Sequence, residues 1–401
     1  MAEQSLTYII VGAGLAGSSA VEGIRELDKK GPILLLGSEK HLPYDRPPLT
    51  KKLWFGKKKV EDIFLHNQEF YEQNNVVFAA GVTAKTVDAK NRTVTVDKGN
   101  TYRYEKLLLA TGGAPRVLPI PGGDLEGIYY YRYLDDYLRM KQEASAGKSA
   151  VVIGGGFIGS EIAAALAVNH VKVMMIFPDL YLVGRVFPEG LGMSLQRHFR
   201  ERGITILNGE KPASFTKKDG KFVTRTESGR EIESDMVIVG IGISLSLELA
   251  RNAGLQTANG IIVDEYLQAS LKDVFAAGDV ALFPYQALGK QTRVEHWDNA
   301  LNQGKLAGRN MAGAHEQYTH MPYFFSDLFE FGYEAVGEVD SRLETFADWQ
   351  KENDTGVIYY LRDGKVRGAM MCNVWDKVDA ARELIRKGKT VTKETLRGLI
   401  R

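Results

Sequence analysis

The sequence predicts an α/β fold with two Rossmann-like units, followed by a C-terminal α+β module. The stretch IIVGAGLAGSS begins at residue 9 and places a glycine-rich turn between an apolar strand and a helix. The stretch VVIGGGFIGSE begins at residue 151 and repeats that pattern. Each is followed by a second apolar strand, which completes a βαβ unit. Residues 321–401 instead contain short apolar runs, a hairpin turn and a final helical stretch, as expected for an α+β module.

Length and composition agree with this division. The chain has 401 residues, a formal net charge of +1 and 44% hydrophobic residues. Domains usually contain about 100–200 residues, so we expect two or three. The near-neutral charge argues against a nucleic acid partner, and the apolar runs are too short for a transmembrane segment. Because the first residues also lack the features of a signal peptide, we predict a cytoplasmic location.

Hydrophobic periodicity predicts the elements of the first unit. A strand over residues 8–11 precedes the glycines, a helix covers residues 18–27, and a second strand covers residues 33–36. Further strands are expected at residues 93–96 and 102–109. The last of these strands runs into the glycine and proline residues of ATGGAPR, where we expect the first domain to end.

The second unit repeats the order of the first. A strand over residues 150–153 precedes the glycines, an alanine-rich helix runs through Ala167, and a strand covers residues 171–176. Two further buried strands, in DMVIVGIGI and DVFAAGDVALF, run into glycines.

The C-terminal module is predicted to contain a β-hairpin that turns at Asp363 and Gly364, and a final helix from Lys377. It also contains Cys372, the single cysteine of the chain. An intramolecular disulfide and a catalytic dithiol are therefore excluded. Because Cys372 lies in an apolar strand, we expect a buried structural thiol.

The first glycine turn predicts a site for an ADP-containing ligand. Gly12 permits the tight turn, Gly14 the approach of a pyrophosphate and Gly17 the close helix–strand contact, while the helix N-terminus faces the phosphates. Glu39 ends the next strand, where an acid accepts hydrogen bonds from ribose hydroxyls. A glycine turn or a loop acid alone also has structural explanations, so the prediction depends on the strand–turn–helix context.

The second glycine turn predicts a second ligand of this class. Gly154, Gly156 and Gly159 have the same context, and Asp179 lies slightly beyond the usual position of the ribose acid. No arginine cluster directly follows the strand, which favours NADH over NADPH, although Arg185 keeps NADPH open. Two sites on one chain fit FAD as the resident redox cofactor and NAD(P)H as the visiting hydride donor.

Four motifs, GAGLAG, ATGG, GGGFIGSE and FAAGD, occur in an order that resembles the two-dinucleotide flavoprotein reductases. The segments HLPYDRPPLTKKLW and RVEHWDNALNQGKLAGRNMAG narrow the resemblance to the ferredoxin-reductase and apoptosis-inducing-factor branch. The resemblance implies a glutathione-reductase-like architecture. It places an FAD domain at residues 1–116 and 244–320, an NAD(P)H domain at 117–243, and the C-terminal α+β domain at 321–401.

The resemblance also implies catalytic residues. Lys51 would lie beside the redox-active nitrogen of the flavin and pair with Glu161, because a fixed positive charge there stabilises electron-rich reduced flavin. The helix that begins near His296 would point its N-terminus at the flavin pyrimidine. His296 could equally be a packing residue. Without the resemblance, Lys51 would be interpreted as a surface lysine.

Further positions match cofactor contacts of the family, and no metal site is predicted. The positions assigned to FAD are Gly12, Ala13, Gly14, Leu15, Ala16, Glu39, Lys40, Arg46, Lys51, Val82, Ala110, Thr111, Gly112, Arg132, Gly278, Asp279, Glu295, His296, Trp297 and Phe325. The positions assigned to NAD(P)H are Gly154, Gly156, Phe157, Ile158, Gly159, Glu161, Asp179, Arg185, Gly242, Glu334 and Asn373. Phe157 would stack near the nicotinamide or pack in the core. Phe325 replaces a tryptophan that is usual in these reductases.

Two functions follow. In the first, NADH reduces FAD, and electrons pass directly to a ferredoxin- or rubredoxin-type protein or a quinone. The basic stretch KKLWFGKKK at residues 51–59 is either a docking surface for an acidic partner or a solvated loop. In the second, the chain is a redox sensor similar to apoptosis-inducing factor, with slow NADH oxidation, a long-lived FADH₂–NAD charge-transfer complex and redox-linked homodimerisation.

Overall fold

The computed structural model of the chain describes residues 4–401 and contains two compact units. The first consists of the described residues up to Asp45, with Glu61–Ala114 and Leu245–Tyr323. The second is made of three segments, Arg46–Val60, Pro115–Ser244 and Phe324–Arg401. Each unit contains a parallel sheet with a helical crossover, so the predicted α/β class is confirmed. The division into three domains stays a prediction.

The first unit is built on a mostly parallel sheet. Its strands lie in the order Val76–Ala80, Ile33–Gly37, Gln4–Val11, Thr101–Leu109, Thr93–Val96 and Ala84–Asp88, with Val274–Ala276 beside Thr101–Leu109. Strand Thr93–Val96 pairs antiparallel with both of its neighbours, and the other neighbouring strands pair parallel. Helix Leu15–Leu27 connects the first two strands of the chain. The predicted βαβ unit is therefore present.

Two helices of the first unit are in backbone contact. On helix Trp297–Met311, a Cβ added to Gly304 or Gly308 would lie 2.2 or 2.1 Å from a carbonyl oxygen of helix Leu15–Leu27. On the facing helix, a Cβ at Gly23 would lie 2.0 Å from a carbonyl oxygen. Glycine is required at this crossing, because any larger residue would separate the helices. The crossing therefore holds helix Trp297–Met311 directly against helix Leu15–Leu27.

A small sheet completes the first unit. Its strands are Thr257–Ala258, Gly260–Ile262, Ala281–Tyr285 and Lys290–Thr292. The hairpin of the last two strands separates the predicted Gly-Asp turn from helix Trp297–Met311, an insertion that the sequence pattern did not indicate. The remaining helices of this unit are Gln68–Gln73 and Glu248–Asn252, with short 3₁₀ turns at Gly278–Val280 and Gln286–Leu288.

The second unit contains a fully parallel sheet and two antiparallel ones. The parallel strands lie in the order Thr205–Asn208, Lys172–Phe177, Ser149–Ile153, Met236–Val239 and Ile128–Tyr130. Helix Phe157–Val168 is the crossover of the second βαβ unit, and helices Leu134–Glu143 and Glu189–Glu201 accompany it. A three-stranded antiparallel sheet consists of Pro212–Lys218, Lys221–Thr226 and Glu231–Ser234. Phe215 and Phe222 from that sheet pack into the core of the parallel sheet.

The C-terminal sheet has the order Tyr323–Leu328, Phe331–Gly337, Lys365–Cys372, Thr355–Arg362 and Glu344–Lys351. Asp363 and Gly364 form the predicted hairpin turn, with φ values of 52° and 67°, as a type I′ turn requires. Cys372 is fully buried, which confirms the predicted burial of its thiol. Lys377 caps helix Val378–Lys387, but this helix is not the final one as predicted, because Lys393–Leu396 follows it.

Short elements join these sheets. Single-turn 3₁₀ helices cover Pro47–Thr50 and Val60–Ile63, and short strands cover Gly113–Pro115 and Ile243–Leu245, where the chain passes from one unit to the other.

Candidate functional site

In the first unit, predicted FAD residues gather at one edge of the parallel sheet. The first glycine turn, at residues 12–17, and Glu39, Ala110 and Gly278 each follow one of four adjacent parallel strands. The carboxyl ends of such strands lie at the same edge, which is where dinucleotides bind in doubly wound sheets. The structure therefore brings these predicted residues together.

The first glycine turn fits a pyrophosphate. A Cβ on Gly12 would lie 2.1 Å from the carbonyl oxygen of Ala110, and a Cβ on Gly17 1.9 Å from that of Gly12. These two glycines are needed for the fold itself. A Cβ on Gly14 would meet no atom within 4 Å. Gly14 therefore leaves an open cradle at the N-terminus of helix Leu15–Leu27, where backbone N–H groups favour an anion.

The second glycine turn, at residues 154–159, repeats this geometry. A Cβ on Gly154 would lie 2.4 Å from the carbonyl oxygen of Gly240, and a Cβ on Gly159 2.0 Å from that of Gly154. A Cβ on Gly156 would again meet no atom within 4 Å. Both turns therefore fit the phosphates of a dinucleotide, one in each unit.

Side-chain contacts orient polar residues of the first unit. The Tyr44 hydroxyl donates to a carboxylate oxygen of Glu39 at 2.6 Å, a partner that the sequence did not indicate. Thr111 donates its hydroxyl to the backbone oxygen of Ser246 at 2.8 Å. The indole N–H of Trp297 donates to Asp45 at 2.6 Å, so this predicted FAD residue also has a structural partner.

His296 is the N-cap of helix Trp297–Met311. Desolvation by the surrounding protein lowers the pKa of its imidazole to about 4, and the Asp298 carboxylate opposes this shift only in part. The ring is therefore neutral at pH 7. The positive potential predicted at this helix end must come from the helix dipole and not from an imidazolium.

In the second unit, Lys51 and Glu161 form a buried ion pair. The Lys51 ammonium nitrogen lies 3.1 Å from a carboxylate oxygen of Glu161, and both side chains are less than 10% exposed. Thr50 donates its hydroxyl to the second carboxylate oxygen at 2.5 Å, and Ser326 donates to the first at 2.5 Å. We call Thr50, Lys51, Glu161 and Ser326 the carboxylate cluster.

Phe325 contacts the carboxylate cluster, and further aromatic residues lie near its members in the sequence. The Lys51 ammonium lies 4.8 Å from the ring centre of Phe325, a cation–π distance. Phe157 packs on Phe324 with ring centres 5.6 Å apart. Tyr333 is fully buried, and burial, reinforced by the Glu161 carboxylate, raises the pKa of its phenol well above its ordinary value. Its hydroxyl therefore stays protonated.

The sequence did not indicate three members of this region: Thr50, Ser326 and Tyr333. Thr50 directly precedes Lys51 and Ser326 directly follows Phe325, so adjacency to predicted residues was the one available signal. Lys51 itself is buried in the ion pair and cannot belong to the exposed docking surface of residues 51–59. Lys52, Lys57 and Lys59 of that stretch are exposed.

The other predicted residues of the second unit are more dispersed. Arg46 donates to the backbone oxygen of Arg132 at 3.0 Å. Asp179 and Arg185 are exposed on the segment that follows strand Lys172–Phe177. Gly242 has a φ of 93°, which only glycine adopts readily.

Glu334 and Asn373 lie on adjacent strands of the C-terminal sheet or at their ends. Asn373 accepts a hydrogen bond from the Gly332 amide at 2.9 Å, so its side chain has a structural partner. Burial, with a smaller contribution from the Asp376 carboxylate, raises the pKa of Glu334. Neither of these interactions involves a residue of the carboxylate cluster.

The predicted residues divide between the two units. The first unit contains Gly12, Ala13, Gly14, Leu15, Ala16, Glu39, Lys40, Val82, Ala110, Thr111, Gly112, Gly278, Asp279, Glu295, His296 and Trp297. The second contains Arg46, Lys51, Arg132, Gly154, Gly156, Phe157, Ile158, Gly159, Glu161, Asp179, Arg185, Gly242, Phe325, Glu334 and Asn373. Within residues 4–401, no helix is both long and apolar enough to cross a bilayer.

Comparison with known proteins identifies the relatives of this chain. Residues 6–304 match the family described as pyridine nucleotide-disulphide oxidoreductase. Residues 307–355 match the C-terminal domain described as apoptosis-inducing factor, mitochondrion-associated.

Individual relatives come from both branches. The chain is 32% identical to apoptosis-inducing factor 1, mitochondrial, of Dictyostelium discoideum, over 97% of this chain and 80% of that protein. It is 31% identical to the ferredoxin–NAD(+) reductase component of the anthranilate 1,2-dioxygenase system of Burkholderia cepacia, over 95% of this chain and 94% of that protein.

A solved structure agrees with this assignment. The covalent putidaredoxin reductase–putidaredoxin complex includes a chain that matches with a TM-score of 0.91 and 29% identity, over 97% of this chain and 95% of that one. The predicted two-dinucleotide architecture with a C-terminal sheet is thereby confirmed. The chain belongs to the pyridine nucleotide-disulphide oxidoreductase family, whose members are FAD- and NAD(P)H-dependent oxidoreductases, within its ferredoxin-reductase and apoptosis-inducing-factor branch.

Proposed function

We propose that the chain is an NADH-dependent flavoprotein reductase that delivers electrons to a small iron–sulfur protein without a redox disulfide. The observation that carries the proposal is the carboxylate cluster. Burying an ammonium and a carboxylate costs free energy, which their pairing and hydrogen bonds only offset. We therefore attribute the buried pair to function and not to stability. The single cysteine, Cys372, is fully buried on a strand and is not part of this cluster.

Two sets of residues would hold the cofactors. The first glycine turn with Glu39 and Asp279 would hold FAD, and the second glycine turn with Asp179 would hold the nicotinamide nucleotide. When bound, FAD supplies a ring that takes hydride from a nicotinamide and passes electrons on.

The protein's own residues prepare the charge distribution. Lys51 contributes a fixed positive charge, which would stabilise negative charge that develops on a neighbouring ring. Glu161 orients the ammonium, while Thr50 and Ser326 fix the carboxylate from both of its oxygens. Phe325 adds a cation–π contact to the ammonium.

Rapid kinetics test the proposal. Under anaerobic conditions, NADH should bleach the flavin absorbance faster than NADPH, because no arginine cluster directly follows strand Lys172–Phe177 to bind a 2′-phosphate. Steady-state turnover with a ferredoxin should then be rapid. A purified, reconstituted protein that reduces no iron–sulfur acceptor faster than it reduces oxygen would contradict the reductase assignment.

The exposed part of the basic stretch suggests the partner's charge. Lys52, Lys57 and Lys59 are exposed, and exposed charges of one sign accelerate association with an oppositely charged partner. We expect Lys57→Glu to raise the KM for an acidic ferredoxin by about fivefold at low salt, with kcat unchanged. Lys218→Glu, at an exposed position on the three-stranded sheet, is the control. Equal effects of the two substitutions would remove residues 52–59 from the docking surface.

A second function is supported by the match of residues 307–355 to the apoptosis-inducing-factor C-terminal domain. Under this alternative, NADH oxidation is slow with every acceptor, and reduction by NADH promotes homodimerisation. Light scattering before and after anaerobic NADH addition distinguishes the alternatives, since the reductase function requires no change in mass. A cytoplasmic location stays a prediction from the sequence, to be tested by cell fractionation.

A further inference from the structure

A loop at residues 181–187 contains a strained valine. Val183 has a φ of 55° and is 4% exposed. A β-branched residue rarely adopts this left-handed conformation, because its Cβ substituents crowd the backbone. Such a conformation persists only where the surroundings enforce it, and strained residues of this kind occur preferentially at ligand-binding sites. We call residues 181–187 the strained loop.

The strained loop lies against the second glycine turn. The Val183 amide donates to the carbonyl oxygen of Gly155 at 2.8 Å. The loop follows strand Lys172–Phe177, at the sheet edge where a dinucleotide binds in this type of fold. Asp179 and Arg185, the two residues that the sequence singled out beyond this strand, lie just before the loop and within it. A change in loop conformation would therefore alter the nucleotide site.

Residues of the C-terminal sheet region hold the strained loop from the other side. The Ser341 hydroxyl donates to the Gly184 carbonyl oxygen at 2.6 Å, and the Ser341 amide donates to that of Arg185 at 3.1 Å. The buried Tyr360 hydroxyl donates to the carbonyl oxygen of Val186 at 2.8 Å. Three consecutive carbonyl groups are thus occupied by donors from outside the loop.

We infer that Ser341 and Tyr360 are positioning residues for the nicotinamide nucleotide. Through their hydrogen bonds they keep Val183 in its strained conformation, and the strained loop thereby stays shaped for the nucleotide before it arrives. This inference rests on the proposed role of the second glycine turn. A preorganised loop binds more tightly because less ordering is needed on binding. Without these hydrogen bonds, Val183 would relax toward an extended conformation and withdraw from Gly155.

The inference is tested by asking whether relieving the strain at Val183 reverses the effect of removing the two hydroxyl groups. The measurement is the dissociation constant of NAD⁺ for the FAD-loaded, oxidised protein, obtained by isothermal titration calorimetry. We expect Ser341→Ala/Tyr360→Phe to raise this constant by about fivefold. Adding Val183→Gly should restore it to within about twofold, because glycine adopts a positive φ without strain. Val183→Ala is the matched control and should not restore binding, since it keeps the Cβ.

Each other outcome has a defined meaning. An unchanged dissociation constant in Ser341→Ala/Tyr360→Phe would overturn the inference, and so would equal restoration by glycine and alanine. If the double variant does not fold, amide hydrogen exchange of the strained loop in Ser341→Ala replaces the titration, with faster exchange expected and unchanged exchange contradicting the inference. A wild-type protein that binds neither NAD⁺ nor NADP⁺ would instead refute the proposed function.

Discussion

Glu161 organises the buried polar region of the second unit, because three donors from two separate segments of the chain converge on its carboxylate. Lys51 supplies the compensating charge, and the hydroxyls of Thr50 and Ser326 complete the hydrogen bonding. A carboxylate that accepts from this many donors has little freedom to rotate. The ammonium of Lys51 is therefore held in one position.

Removing the negative charge should destabilise the protein. Glu161→Gln leaves the buried Lys51 ammonium without its counter-ion, so we expect the free energy of unfolding to fall by about 3 kcal/mol. Denaturant titration of the FAD-free protein measures this. Glu383→Gln breaks an exposed ion pair with Lys387 and should change stability by less than about 0.5 kcal/mol.

A second variant separates charge from packing. Lys51→Met/Glu161→Gln removes both charges and should recover most of the lost stability, while flavin reduction by NADH stays slow. Full recovery of the reduction rate would show that the ion pair has no role in the chemistry.

His296 should give the stability of the protein a distinct pH dependence. The pKa of its imidazole is about 4 in the folded protein and about 6.5 in an unfolded chain. Between these values the unfolded chain binds a proton that the folded protein does not, so stability falls as the pH falls through this window. Above pH 6.5 the contribution is fully present.

A substitution isolates this contribution. Between pH 6.5 and pH 4, wild-type protein should lose up to about 3 kcal/mol more stability than His296→Gln, as measured by denaturant titration at each pH. Equal losses of stability in the two proteins would contradict this prediction, because they would mean that His296 also binds the proton in the folded state.

Among the elements, each glycine turn contains glycines that the fold requires and a glycine that leaves room for a ligand. Gly12 is required by the fold, because a Cβ there would overlap the backbone of Ala110. Gly14 lies two residues later in the same turn, but a Cβ there would meet no atom within 4 Å. The structure therefore distinguishes glycines that are needed for folding from glycines that are needed for a ligand.

Paired substitutions in the first turn should show this difference. We expect Gly14→Ala to keep the melting temperature of the FAD-free protein within about 2 °C while FAD affinity falls at least about tenfold. Gly12→Ala should lower the melting temperature strongly, because it adds both overlap and an unfavourable φ of 113°. Thermal melts and flavin absorbance after reconstitution measure the two effects. Loss of folding in both variants would contradict the distinction.

Local sequence patterns predicted many of these elements. The strand Thr93–Val96 and the turn at Asp363 and Gly364 occur where the sequence placed them, because periodicity and turn chemistry act over a few residues. The hairpin before helix Trp297–Met311 and the helix Lys393–Leu396 were not predicted, since both are short and weakly patterned.

The carboxylate cluster shows where prediction from sequence ends. Thr50 and Ser326 lie 111 and 165 residues from Glu161 in the chain. No local pattern links positions so far apart, and a single sequence provides no covariation. Lys51 and Glu161 were identified by resemblance to a family, whereas their hydroxyl partners required the three-dimensional structure.

At the scale of the whole molecule, the buried thiol separates this chain from relatives that use a redox disulfide. Burial raises the pKa of Cys372 far above its ordinary value, and the Asp354 carboxylate adds to this shift. A thiol of this kind is inert, because the thiolate is the reactive form.

Alkylation should therefore leave the native protein unaffected. We expect iodoacetamide to add nothing to the folded protein and one group after unfolding, because the sequence contains one cysteine. NADH oxidation should be fully retained after treatment, and mass spectrometry gives the number of groups added. Inhibition that tracks modification of Cys372 would contradict the direct transfer of electrons from flavin.

The chain crosses between its two units after Asp45, Val60, Ala114, Ser244 and Tyr323, which has a consequence for its synthesis. The parallel sheet of the first unit needs strand Val274–Ala276, and its helix crossing needs Gly304 and Gly308. On the ribosome, the N-terminal half must therefore wait for residues made much later, while exposed strand edges are available for aggregation. Chaperone dependence during translation is the expected outcome of this interleaved chain path.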